Sequence, residues 1–354
     1  MYYADDEEDV SVWLEYDDAL ATVNNWRAAH GHPLNTFQTN LRVAARRIDA
    51  GPVVAQRTKR LTSITEKLYR LPKMKLTQMQ DIGGCRAVLK SVSDVRKLVH
   101  YYEHESAIKH VLVSKDDYIA EPPVSGYRGV HLVYRYFSDK DTTKVYNGLK
   151  IEMQIRSQYQ HAWATAVETV GTFVGEALKS SMGSEKWLRF FALMGTAIAN
   201  RERTPAVPET PAHRPILVSE LLALSNELEV ARRLRAYNEA VRTFEQGADP
   251  SDKYYLLNLD IQTEELTVTG FKFGEIENAS KQYLAAEKAA KGSTRRDAVL
   301  VSVDSLAALP RAYPNYFADT RVFLDLVDQT LSGRPRRIIT APLQLRAGAT
   351  DVTE

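Results

Sequence analysis

Between Lys150 and Arg156 apolar and polar residues alternate without a break. Ile151, Met153 and Ile155 fall on one side, and Glu152, Gln154 and Arg156 on the other. This period of two specifies a strand with one face against a core, and it sets three polar side chains in a row about 7 Å apart. Ser157 then opens a long helix through Gln160, Trp163 and Val167, with His161 beside the strand and Trp163 read as core. Taken alone the pattern also fits a half-exposed edge strand, so the rest of the chain has to supply partners for its polar face.

It offers several. Val12 to Arg27 has helical periodicity, and Phe37 to Asp49 reads as a helix stopped by Gly51-Pro52. Thr62-Ser63 can cap a helix running through Lys67 to Leu71 and ended by Pro72. Arg86 to Leu89 is strand-like after Gly83-Gly84, Ser93 caps a helix to Glu105, and Gly129 to Tyr136 alternates as a strand. Pro205, Pro208, Pro211 and Pro215 mark a connection, and Ser219 to Glu245 reads as one amphipathic helix. Beyond Lys253 strands are expected at Tyr254–Leu259, Leu266–Phe273 and Val299–Val303, and helices at Ala279–Lys291 and Phe317–Leu331. This mixture predicts an α+β protein, a mixed β-sheet flanked by helices with a second small α/β domain. The expected divisions are a first domain over 1–203, a Pro-rich linker over 204–214, a connecting helix over 215–248, a second domain over 253–331 and a disordered tail over 332–354.

Composition sets outer limits. With 354 residues, 44% hydrophobic and 26% charged, the chain has ordinary globular composition, which excludes low-complexity and collagen-like chains. A net charge of +1 argues against a generic polyanion binder. That total conceals an acidic start (Asp5 to Asp18) followed by a basic stretch from Arg42 to Lys75. The single cysteine, Cys85, allows neither an intramolecular disulfide nor a Cys-rich zinc site and reads as a packing residue. The acidic N-terminus lacks signal-peptide order, and no apolar run approaches the roughly 20 residues needed to cross a bilayer. The expected location is the cytoplasm.

Spacing turns the basic stretch into a candidate polyphosphate site. Ser63 and Lys67 are four apart and share a helix face, Arg57 and Lys59 precede that helix, and a helix N-terminus itself favours phosphate. No Walker A loop or dinucleotide fingerprint is present. Asp81, just before Gly83-Gly84-Cys85-Arg86, and Glu152 are carboxylates read on separate strands that can share a Mg²⁺ ion with substrate phosphate oxygens. Tyr127, between Gly126 and the Val130 strand, is placed to offer a flat stacking surface.

Arg57-Thr58-Lys59 to Leu68, Asp81 to Arg86, Gly126 to His131 and Glu152 to Ser157 together resemble the synthetase domain of the RelA/SpoT family, with its nucleotidyltransferase-like fold. That family moves the β,γ-pyrophosphate of ATP to a ribose 3′-hydroxyl, typically of GDP or GTP. The resemblance implies that Arg57 and Arg86 sandwich adenine and that Lys59, Ser63 and Lys67 hold the phosphates. It also implies that Asp81 and Glu152 bind Mg²⁺, with Glu152 helping to deprotonate the acceptor, and that Tyr127 stacks on the acceptor base near His131, Gln154 and Arg156.

This sequence departs from the guanosine-nucleotide synthetases where they commonly carry acceptor-side cations. Pro123 and Ser125 replace a Lys and an Asn, and Asp116 stands where a Lys is usual. An acceptor without a 5′-diphosphate, the 3′ CCA end of tRNA, fits better, as in the toxic small alarmone synthetases. A (p)ppGpp or ppApp synthetase and an inactive nucleotide- or partner-binding module are the other readings. Val299 to Leu306 followed by Ala312-Tyr313-Pro314-Asn315-Tyr316-Phe317 resembles the antitoxin-like region of fused CapRel-type phage-defence proteins. That likeness implies that Tyr313 and Tyr316 cover the ATP site until a phage protein binds. Alternatively these tyrosines fill the core of their own domain. The region has no Cys or His for a zinc finger, and no His-Asp pair of the family's hydrolase domain is found, so synthetase activity alone is expected.

Overall fold

A computed structural model describes residues 6–174, 184–240, 242–246, 249, 251–260, 262–263, 265–290, 296–303, 306–317 and 319–333. The expected disordered tail lies outside them beyond Gly333.

Helices α1 (Asp6–Ala29) and α2 (Gly31–Ile48) lead into β1 (Val53–Thr58) and α3 (Leu61–Arg70). Next come β2 (Gly83–Leu89), α4 (Val92–His100), β3 (Val111–Asp117), β4 (Val130–Arg135) and β5 (Lys150–Ser157). The alternating Lys150–Arg156 segment is therefore a strand, and it is central: β5 pairs in parallel with β2 and antiparallel with β4. Its apolar face and those of β2 and β4 bury Ile151, Met153, Ile155, Cys85, Ala87 and Leu132 against Leu34, Phe37 and Leu41 of α2 and Val95 and Leu98 of α4. That layer forces the opposite, polar face outward.

Helices α5 (Gln158–Val174) and α6 (Glu185–Glu202) cover the polar face at one side. They pack with α7 (Arg214–Glu227), α8 (Val230–Ala240) and α11 (Arg321–Ser332) through Trp163, Val167, Phe190, Leu193, Leu217, Leu221, Leu234 and Phe323. The C-terminal residues add β6 (Arg242–Gln246), β7 (Tyr254–Asp260), β8 (Glu265–Phe271), α9 (Ile276–Ala290), β9 (Arg296–Ser302) and the short α10 (Leu309–Ala312). The nine strands form one mixed sheet in the order β3-β4-β5-β2-β1-β9-β7-β8-β6. Two register pairs, Gln56↔Ser302 and Arg57↔Val301, join its N-terminal and C-terminal parts.

Several local expectations need correction. The α4 cap is Ser91, whose hydroxyl accepts from Asp94 N at 3.2 Å, because the buried Val95–Leu98–Val99 stripe sets the helix phase two residues earlier than Ser93 implies. Thr62 and Ser63 lie inside α3, whose cap position is Arg60. The helix expected over Ser219–Glu245 breaks at Glu229, with φ of 50°, and β6 takes over at Arg242, where pairing with β8 overrides helical periodicity. The proline-rich connection does lie outside helix and strand over 204–213, and it is packed down: Val207 is buried, its amide donates to Thr196 at 2.9 Å, and Arg128 donates to Thr204 at 2.9 Å. Strands β1 and β3 carry no clear alternation and go unforeseen. Asp81 is not on a strand but two residues before β2.

Candidate active site

Register brings the polar groups together. Gly84 of β2 lies beside Arg57 of β1 and Glu152 of β5; Arg86 lies beside Gln154, and Gln154 beside His131 of β4. One cleft, about 540 Å³, is bordered by Arg57, Lys59, Asp81, Gly84, Arg86, Glu152, Gln154, Arg156, Glu168 and Tyr313. A second of about 930 Å³ shares much of that border and extends to Ser125, Tyr127, His131, Trp163, Leu188 and Phe191.

The two glycines do different things. A Cβ on Gly83 would meet Ile151 Cδ1 at 2.7 Å, whereas one on Gly84 would meet only the Arg57 and Glu152 carbonyls at 4.0 Å. A Cβ on Gly83 would thus press on the end of the Ile151 side chain, and Gly84 leaves the cleft floor open. Gly126, with φ of +88°, brings its backbone against Phe191 and Ala192, where a Cβ would come within 2.9 Å. That close approach sets Tyr127 at the mouth.

Asp81 receives Lys59 Nζ at 2.7 Å and Lys67 Nζ at 3.0 Å on its two oxygens. Burial alone would raise its carboxyl, but the two ammonium groups more than offset this and hold it below the usual range. Burial in turn pulls Lys59 down, against the opposing pull of Asp81. Ser63 is half-buried on α3 one turn before Lys67 and borders neither cleft.

Glu152 accepts from His131 Nδ1 at 3.0 Å and from Gln154 Nε2 at 2.6 Å. Burial opposes ionisation, yet these partners bring its carboxyl down to about 2. A carboxylate only accepts, so Nδ1 of His131 carries the proton. On its other side His131 Nε2 meets the Tyr127 hydroxyl at 2.5 Å, and Arg156 donates to that hydroxyl at 2.6 Å and to Gln154 Oε1 at 2.7 Å. Arg156 also lies over one Tyr127 ring face, 5.0 Å from its centre, while Tyr118, His131 and Trp163 meet the ring edge-on.

At the opposite end the Arg86 guanidinium sits 5.5 Å from the Tyr313 ring centre and donates to Ala312 O. Burial, with Arg156 adding to it, lowers Arg86 to about 10, still cationic at neutral pH. Tyr313 donates to Gln56 O at 2.6 Å. Its ring borders the cleft and also belongs to the core of Tyr255, Leu257, Val299 and Val301. Tyr316 lies in that same core, behind the cleft, with its hydroxyl on Asp297 at 3.0 Å. Cys85 is fully buried on the core face, and burial raises its thiol, as a packing residue requires.

One residue beyond the motifs joins the site, and a second, His161, lies beside it without bordering either cleft. Glu168 borders both clefts; its one trace in sequence is a lone carboxylate in the otherwise uncharged α5. His161 is buried with Nε2 at 3.3 Å from Arg311 O, and burial beside Arg86 and Arg156 drives it well toward the neutral form.

For a metal, Asp81 and Glu152 border the same cleft, and each feels the other's charge or that of Lys59. Among the described residues no group of three or more His, Cys, Asp or Glu side chains is gathered to hold an ion. Two carboxylates with space for phosphate oxygens and water suit Mg²⁺, which is usually held by one or two carboxylates and its substrate. No described helix is long and apolar enough to cross a membrane.

Comparison with known proteins follows this geometry. GTP pyrophosphokinase YjbM of Bacillus subtilis is 34% identical over 123 residues, 33% of this chain and 56% of that protein. GTP pyrophosphokinase YwaC of the same organism is 30% identical over 114 residues, 31% of this chain and 52% of that one. The chain thus spans about half the length of the curated relatives it matches. Among solved structures, small alarmone synthetase 1 from Bacillus subtilis aligns at 24% identity and a TM-score of 0.42, over 51% of this chain and 91% of that one. The segment that builds the cleft, residues 56–170, matches the family model described as the region found in RelA / SpoT proteins.

Proposed function

We propose that this chain is an ATP-dependent pyrophosphokinase of the RelA/SpoT type. The observation that carries this reading is the convergence of Asp81, Glu152, Lys59, Arg57 and Arg86 on one cleft inside the segment that matches the family. The acceptor's 3′-oxygen attacks the β-phosphorus of ATP, the bond from that phosphorus to the α–β bridging oxygen breaks, and AMP leaves. Phosphoryl-type transfer of this kind needs alignment and charge neutralisation more than covalent help. Lys59 lines the cleft and Lys67, which borders neither cleft, shares Asp81 with it; both would grip the triphosphate, and Arg57 and Arg86 would take the adenine. Asp81 and Glu152 would hold Mg²⁺, which when bound neutralises phosphate charge. Glu152, held near 2 by His131 and Gln154, is a weak base. Its part is to accept the hydroxyl's hydrogen bond, orient the oxygen and receive the proton late, as charge develops.

For the acceptor we favour the 3′ CCA end of tRNA. Asp116 lies directly across β3–β4 from His131, and with Glu152 it raises the Tyr118 hydroxyl beyond what burial does. A negative edge with Pro123 and Ser125 in place of basic and amide groups suits an acceptor lacking a 5′-diphosphate. GDP or GTP is the second reading, favoured by the names of the two relatives. Tyr313 against Arg86 supports a further reading, of a toxin restrained by its own C-terminal residues and released in phage defence by a phage protein. Incubation with γ-³²P-ATP and, in parallel, bulk tRNA and GDP, of the wild-type chain and of Tyr313→Ala, tests the reaction, its acceptor and the restraint. Label on tRNA is expected, stronger from the variant; label on guanosine nucleotide alone rejects the tRNA acceptor, equal label from the two chains rejects the restraint, and label on neither acceptor from either chain rejects the enzyme.

A further inference from the structure

Helix α3 starts without a side-chain cap of its own. Its Leu61 amide donates instead to Glu287 Oε1 at 2.9 Å, from α9 in the C-terminal part. The same carboxylate receives Arg27 Nη1 at 2.8 Å, Arg27 Nη2 at 3.2 Å and the Tyr283 hydroxyl at 2.7 Å. Arg27 also donates through Nη2 to the Tyr283 hydroxyl at 2.7 Å and through Nε to the Lys59 carbonyl at 3.0 Å. Arg27 is 4% and Glu287 8% exposed, so the pair is out of water, and neither borders the clefts. Arg60, between the two anchored positions, pairs with Asp297 of β9. Each residue of Lys59-Arg60-Leu61 is therefore tied down, and residues of α9 and β9 tie two of them.

We infer that Arg27 and Glu287 are positioning residues for the phosphate-gripping segment, so the C-terminal part helps to build the site it faces. The inference rests on the pyrophosphokinase reading. The pair carries no net charge, so its direct field on a phosphate is small. What it fixes is the backbone that launches Lys59 and starts α3, the helix bearing Ser63 and Lys67. A buried ion pair is often no more stabilising than apolar side chains of similar volume, so its loss is expected in geometry rather than in melting temperature.

The test uses the full chain and the double variant Arg27→Met/Glu287→Met, which removes both charges together. The probe is inorganic tripolyphosphate with Mg²⁺, titrated calorimetrically; it has no base and does not need the Arg86–Tyr313 end of the cleft. Binding is expected to weaken about tenfold, since small misplacements of gripping groups are costly, while thermal melting stays near wild type. Asp260→Asn, which breaks the surface pair with Arg296 in the same part of the chain, should leave binding unchanged. Wild-type affinity in the double variant overturns the inference. Should the double variant melt early, Glu287→Leu replaces it: Leu offers no acceptor to the Leu61 amide, and a folded Leu variant with unweakened binding overturns the inference equally. A wild-type chain that binds no tripolyphosphate overturns the pyrophosphokinase reading itself.

Discussion

The two ends of the cleft are built in opposite ways. The Tyr127–His131 end is assembled from β4, β5, α5 and α6, and its hydrogen bonds run Arg156 to Tyr127 to His131 to Glu152 within one continuous stretch of sheet. The Arg57–Arg86 end is closed by residues more than 200 positions downstream: Ala312 on Arg86 and Tyr313 on Gln56. The first end is preorganised by its own neighbours, and it is the end that the proposed function gives to the acceptor. The second is complete only with a segment that also occupies it. A device that restrains this protein would therefore act on nucleotide donor binding and leave the acceptor side formed.

The largest expected effect tests whether the ends serve one reaction. Glu152→Gln keeps the shape of the strand, and label transfer should fall about 10³-fold, in the range of a lost acid–base or orienting group, with circular dichroism unchanged. Undiminished transfer would remove Glu152 from the chemistry. Next, Gly126→Ala should destabilise the mouth of the cleft by about 1–3 kcal/mol, because its φ of +88° disfavours a side chain and its Cβ would come within 2.9 Å of the Phe191 backbone, measured by chemical denaturation. Gly84→Ala should fold normally, since it meets no atom closer than 4.0 Å, while weakening nucleotide binding from within the cleft. Equal stabilities for the two variants would contradict the packing argument.

The contrast between ends is sharpened by Tyr313. Tyr313→Ala should tighten binding of a non-hydrolysable ATP analogue roughly tenfold, about 1.4 kcal/mol, without altering acceptor affinity. Tyr313→Phe loses only the bond to Gln56 O, keeps the ring on Arg86 and should stay near wild type. An Ala variant that binds no tighter would mean that the ring is only a wall. A further effect is an acid limb. Glu152 titrates below its unfolded value, so the unfolded chain binds more protons and stability falls as pH drops from about 5 toward 2. Glu152→Gln should flatten that limb by on the order of 1–3 kcal/mol, read from denaturation midpoints at pH 3 and 7.

The same contrast explains what the sequence made legible. The Glu152–Gln154–Arg156 face, Asp81, Tyr127 and His131 come from short contiguous runs whose spacing survives into the structure. The central strand was readable because its apolar face alternates strictly. β3 was not, because an edge strand carrying Ser114, Lys115, Asp116 and Asp117 has no buried face to enforce alternation. Glu168 joins the site through the docking of α5, which no local spacing encodes. The α3 cap was misread for a similar reason: Thr62 and Ser63 are good capping residues, but the acceptor that wins is a glutamate 226 residues away, which only the tertiary fold brings near. The Tyr-x-x-Tyr spacing points to two rings over the nucleotide, but only Tyr313 borders the cleft, and the Tyr316 hydroxyl bonds Asp297 beside Arg60.

The join between β1 and β9 is only two residue pairs long, and one of them contains Arg57. Separating the C-terminal part from the rest would part this seam and strip a sheet partner from Arg57. It would also leave two raw strand edges, each ready to recruit a stranger's strand. If the proposed restraint operates, its release has either to leave this seam closed or to cover both edges.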